Sequence, residues 1–179
     1  MAYGNRIIKK LILAIICFLI CSCAHFGDRG FMHCGNRGAP MRWANNPTVY
    51  FWDTAPIDHV IAITNAVADL NNRCGCEVVE ISYNGNIAIT GPLPIESGAK
   101  LGLASLRCDR VSGDIYGARI SIAREVKGWT LRRVATHELG HALGLDHDNA
   151  AGSVMSQYST STNFTETDID RIRGRYCAK

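Results

Sequence analysis

One stretch decides what this chain can fold into: His137-Glu138-Leu139-Gly140-His141-Ala142-Leu143-Gly144-Leu145-Asp146-His147-Asp148. On a helix, His137 and His141 lie one turn apart on the same face, so their imidazoles can converge on a single ion. Glu138 sits beside that face, where a carboxylate can reach a water held by the ion without being a ligand itself. Gly144 is the residue best able to leave a helix in a left-handed conformation, which lets the chain turn back and bring His147 to the same ion. Three neutral imidazoles leave a fourth tetrahedral position open, the property that separates a catalytic zinc site from a closed structural one.

What surrounds the stretch is consistent with an exported single domain. Residues 1–24 begin with Arg6, Lys9 and Lys10, continue through an apolar run from Leu11 to Ile20, and end with the small residues Ser22 and Ala24, the pattern of a secretory signal. The apolar run is too short for a comfortable membrane span. Two processing routes stay open: cleavage after Ala24, giving a free extracellular or periplasmic protein, or lipidation of Cys23 in the lipobox-like Ile20-Cys21-Ser22-Cys23, giving an envelope-anchored one. Removing 24 of 179 residues leaves enough chain for one core. With 19 Lys and Arg against 16 Asp and Glu, and no basic cluster, the chain carries no nucleic-acid footprint. A monomer is expected.

Past Cys23 the cysteines are Cys34, Cys74, Cys76, Cys108 and Cys177. This odd set allows up to two disulfides in an oxidising compartment and leaves one thiol over. Cys74 and Cys76 are too close to bridge without strain, so each should find a distant partner.

Along the chain, residues 25–39 are rich in glycine without periodicity and read as a surface leader or short pro-segment ahead of a domain at 40–179. Thr48 to Trp52 reads as a first strand. Pro56 and the stripe Ile57, Val60, Ile61, Val67, Leu70 read as a helix closed by Gly75. Val78 to Ile81, Ile87 to Ile89, Leu101 to Leu106 and Ile115 to Ile122 read as strands, the last alternating apolar with polar residues. Thr130 is the expected N-cap of the histidine helix. The loop Ser156 to Thr162 precedes a capping box, Thr165 with Asp168, that opens a last helix ending near Cys177. His25, His33 and His59 lack partners at metal spacing and read as surface residues. The order implies an α+β fold, a twisted mixed sheet with helices packed against it.

With these residues in view, the chain resembles the metzincin zinc endopeptidases and, within them, the matrixins. The zinc motif matches throughout, Ser153-Val154-Met155 falls where a Met-turn is expected, and the opening strand and closing helix are similar; the likeness spans about residues 40 to 177. It implies one catalytic Zn2+ on His137, His141 and His147, with Glu138 as general base and Met155 as an apolar floor. It also implies a peptide substrate lying extended along an edge strand, expected to be Ile115 to Ile122. Calcium is a further expectation, for which Asp109 and Asp114 are weak candidates. Asp148 departs from the usual matrixin Ser and should bond backbone near the Met-turn. Some metzincins ligate zinc with a Tyr two residues after the Met; here Tyr158 lies three after. Cys34-Gly35-Asn36 resembles the core of the matrixin cysteine switch, in which a leader thiolate blocks the zinc, and the competing reading of Cys34 is a disulfide. Three functions follow for comparison: a zinc endopeptidase, a zinc-bearing binding or adhesion module without catalysis, and a zinc amidase.

Overall fold

The computed structural model describes residues 30–35, 38–93, 100–148, 150 and 152–177. The expected signal peptide, residues 1–24 with Cys23, lies outside these residues, as do His25 and Asn36.

Among the described residues there are six strands and three helices: β1 (Arg42–Trp43), β2 (Thr48–Phe51), α1 (Ile57–Cys74), β3 (Glu80–Ile81), β4 (Ile87–Ile89), β5 (Gly102–Cys108), β6 (Asp114–Ile122), α2 (Gly128–Ala142) and α3 (Glu166–Tyr176). Five strands run β1-β6-β4-β2-β3 with parallel neighbours, and β5 pairs antiparallel with β6. This is the expected mixed sheet with three helices.

One strand assignment is corrected. Ile115 pairs with Trp43 of β1 and with Cys108 of β5, and Ile120 with Ile89 of β4 and Ala104 of β5. Since β6 has neighbours along both edges, it cannot accept a further strand. Its alternation reflects a core face, with Ile115, Ala118, Ile120 and Ile122 buried. On one side of β6 the outer strand is β5, whose alternating half-buried and exposed residues suit an edge.

Helix α1 starts after Pro56 and stops where Gly75 takes φ 71°. It buries Ile63, Val67 and Leu70 against α2 and the sheet. His59, read as a surface residue, is instead 1% exposed within this face, and its Nε2 has no hydrogen-bond partner. Helix α2 begins at Gly128, upstream of the expected cap at Thr130. The capping box of α3 forms as expected: Thr165 Oγ1 accepts from the Asp168 amide, and the Asp168 carboxylate accepts from the Thr165 amide.

The described part of residues 30–39 does not lie wholly on the surface. Phe31 and Cys34 are buried, and Phe31 bridges to Leu145 just past α2. Cys34 is bonded to Cys108 and Cys76 to Cys177, which leaves the buried Cys74 as the free thiol among the described residues.

Candidate metal centre

On α2 the apolar residues Val134, Ala135, Leu139 and Ala142 are buried in the core, which fixes the direction in which His137 and His141 project. The last turn of a helix leaves carbonyls unpaired. Here Trp43 Nε1 donates to the Ala142 carbonyl at 2.8 Å and the Tyr176 hydroxyl donates to the Leu143 carbonyl at 2.7 Å. Gly144 then takes φ 92°, and a Cβ at that position would lie 2.9 Å from the Met41 carbonyl oxygen, so only glycine makes this exit. The exit is held by the Met32 amide on the Gly144 carbonyl (2.7 Å) and the Asp146 amide on the Gly30 carbonyl (2.8 Å).

The three motif histidines come together. His141 Nε2 lies 3.0 Å from His137 Nε2 and 3.1 Å from His147 Nε2. Three imidazoles on a tetrahedral zinc would place their nitrogens roughly 3.3 Å apart, so this donor set fits such an ion. The outward nitrogens fit too. His137 Nδ1 donates to the Val154 carbonyl at 2.7 Å and His141 Nδ1 to the Leu145 carbonyl at 2.8 Å, leaving both Nε2 lone pairs aimed at the common centre. Burial lowers the pKa of both rings, that of His141 to about 4, which favours the neutral form that a ligand needs. Among the described residues this is the one convergent group of His, Cys, Asp and Glu.

Glu138 lies beside these rings and is 6% exposed. Burial raises its pKa to about 7, against the opposing effect of a hydrogen bond from the Ala104 amide of β5. It therefore joins the histidine helix to the edge strand. A cavity of about 370 Å³ runs between them, lined by Met32, Gly102, Ala104, Glu138, the three histidines and Gln157 among others. A second cavity of about 380 Å³ adjoins it, where Lys100, Arg133 and Tyr158 meet His137 and Glu138.

Met155 is fully buried beneath α2: a Cβ on Gly140 would lie 2.4 Å from its sulfur. Its amide donates to Ser153 Oγ at 3.1 Å, and Ser153 Oγ donates to Asp168 of α3 at 3.3 Å. The Asp148 amide donates to the Met155 carbonyl, and the Asp148 carboxylate accepts from the Ala150 amide and from Arg171 at 3.0 Å. The start of α3 thus fixes the turn under the histidines.

The other candidates are placed elsewhere. The cysteine-switch reading of Cys34 is overturned: its sulfur is bonded to Cys108, at the end of β5 away from Glu138, and cannot serve as a thiolate ligand. Tyr158 is 89% exposed and lines the second cavity, while Gln157, two residues after Met155, contacts His147. Asp109 accepts the amides of Val111 and Ser112 in a turn, and Asp114 pairs with Arg42.

The model of the matrixin peptidases matches residues 42–177. This chain belongs to the matrixin family. Interstitial collagenases of Oryctolagus cuniculus and Sus scrofa are each 38% identical to this matrixin over 56 residues, 30% of the chain. The match spans only 12% of each collagenase. Among solved structures, myroilysin superposes with a TM-score of 0.53 at 12% identity, over 78% of this chain and 83% of its own, which is a likeness of fold.

Sequence reasoning missed Trp43, Gly102 and Gln157. A glycine inside a strand pattern marks a close approach of another group, and that signal was present at Gly102. Trp43 had no local signal, because its role depends on a contact with Ala142, 99 residues away.

Proposed function

We propose that this matrixin domain is a zinc-dependent endopeptidase. The observation that carries the reading is the convergence of His137, His141 and His147 with Glu138 beside them, in a cleft walled by an exposed strand edge. His137, His141 and His147 would hold the ion. Bound there, zinc polarises a peptide carbonyl and brings the pKa of a water near 7.

The chain's own groups do the rest. Glu138 takes the proton of the attacking water on a carboxylate oxygen and passes it to the leaving amine nitrogen. Its buried setting suits this work, because a base with pKa near the working pH can both accept and release a proton. A substrate peptide would lie antiparallel or parallel to β5, using the outer backbone edge of that strand beyond the Ala104 amide that Glu138 holds. Lys100 and Arg133 line the second cavity beside Glu138, and among the described residues Glu138 is its one acid, which favours substrates with an acidic side chain near the cleaved bond.

Export by residues 1–24, with or without lipid at Cys23, belongs to the same proposal, and two disulfides suit an oxidising compartment. Digestion of a peptide library with and without a zinc chelator tests the function. Chelator-sensitive internal cleavage is expected. Bound zinc with no hydrolysis would mean a binding module, and release of non-peptide amines alone would mean an amidase.

A further inference from the structure

We infer that Gln157 orients His147 for the metal through its side-chain amide oxygen, an assignment that rests on the zinc centre proposed above. His137 and His141 each have an outward nitrogen fixed by a backbone carbonyl, those of Val154 and Leu145. Among the described residues His147 has no such carbonyl. Its Nδ1 faces the side-chain amide of Gln157 at 3.3 Å.

Tautomer chemistry decides which amide atom belongs there. His147 Nε2 faces the shared centre, 3.1 Å from His141 Nε2, and can be a ligand only if it carries a lone pair. The single proton of the neutral ring must then sit on Nδ1, making that atom a donor. An N–H opposite an amide NH2 is repulsive. A half-turn of the Gln157 amide exchanges its nitrogen and oxygen, which occupy nearly the same positions, and gives N–H to oxygen. All three rings then share one arrangement, with Nδ1–H donated to a carbonyl-type oxygen and Nε2 free.

The location of Gln157 supports this role. It follows by two residues Met155, whose backbone is held by the Asp148 amide and by Ser153. The amide therefore follows closely on a hydrogen-bonded part of the loop. His147 is the exposed ring of the three and lies beyond the end of α2, so it gains most from a fixed partner.

The test uses the full chain with zinc as the probe, titrated against a chromophoric chelator. Gln157→Met keeps the length and removes the acceptor, whereas Gln157→Glu keeps an oxygen acceptor. Loss of such an outer partner lowers metal affinity roughly 10- to 100-fold. Gln157→Met should therefore bind zinc at least about tenfold more weakly, Gln157→Glu should match or exceed the natural protein, and the metal-free forms should melt alike. In the zinc-loaded natural protein the His147 Nδ1 proton should be protected from exchange, and Gln157→Met should lose that protection. Equal zinc affinity in Gln157→Met, or equal weakness in both variants, would overturn the assignment. Failure of the natural protein to take up zinc would instead overturn the metal centre itself.

Discussion

Gly102 on β5 and Glu138 on α2 approach so closely that a methyl group at position 102 would lie 2.5 Å from Glu138 Oε1 and 2.6 Å from Val134 Cγ1. The glycine is what allows the edge strand and the buried carboxylate to share one wall of the cleft. Gly102→Ala should displace Glu138 while leaving the three histidines in place. The expected outcome is a fall in kcat on the order of 100-fold, as for other misplacements of a reacting group by about 1 Å, with zinc content unchanged by atomic absorption.

Replacing the carboxylate itself separates chemistry from binding. Glu138→Gln should retain zinc and lose activity by roughly 10²- to 10⁴-fold. The same variant reports on stability in the metal-free protein. Because the folded-state pKa of about 7 stands above the ordinary glutamate value of 4.5, the unfolded chain releases this proton first, and stability falls as pH rises through that interval. Metal-free Glu138→Gln should therefore be more stable than the natural protein at pH 8, by up to about 3 kcal/mol, in urea unfolding. No gain at pH 8 would show that Glu138 is not held in a desolvated state.

Lys100 and Arg133 should set side-chain preference. Reversing one charge with Arg133→Glu should shift cleavage from acidic toward basic side chains, by roughly tenfold in the ratio of kcat/KM values. Paired peptides differing only in Asp and Lys beside the cleaved bond measure this. An unchanged ratio would remove Arg133 from recognition.

Cys34 and Cys108 close a sequence separation of 74 residues. Removing the crosslink with Cys34→Ser and Cys108→Ser together should cost about 2–4 kcal/mol of stability, read by denaturant midpoint. It should not raise the activity of the full chain. Activation by the Cys34→Ser change would restore the cysteine switch.

His59 makes the fold sensitive to acid. Burial holds its pKa below the usual histidine range, against the opposing pull of Asp58, so the folded state keeps the ring neutral. The unfolded chain takes up a proton below about pH 6.5, so stability is lost as pH falls from there. His141 acts in the same direction in the metal-free protein. His59→Leu should flatten the decline in melting temperature between neutral and mildly acidic pH, measured with zinc bound so that His141 does not titrate.

Local patterns were legible in the sequence and non-local partners were not. The helices α1, α2 and α3 announced themselves by apolar spacing and, for α3, by the capping box at Thr165, because both signals act within a few residues. The histidine cluster was legible because two ligands share one helix and Gly144 must turn back. The edge was misread because alternation at Ile115 to Ile122 reports a buried face and is silent about which strands lie alongside. Residues 30–34 looked like a leader since glycine-rich composition gives no hint that Phe31 packs beside Leu145. Gln157 was passed over as one polar residue in a polar loop, although its distance from Met155 marked the position.

The bond between Cys76 and Cys177 has a consequence if the proposed peptidase cuts copies of itself. It ties the end of α1 to the end of α3 across 101 residues, a span that includes the histidine helix and the exposed loop around Tyr158. A single autolytic nick anywhere in that span cannot release a fragment. The nicked molecule would migrate as intact chain until reduced, so such self-digestion would go unseen on any gel run without a thiol.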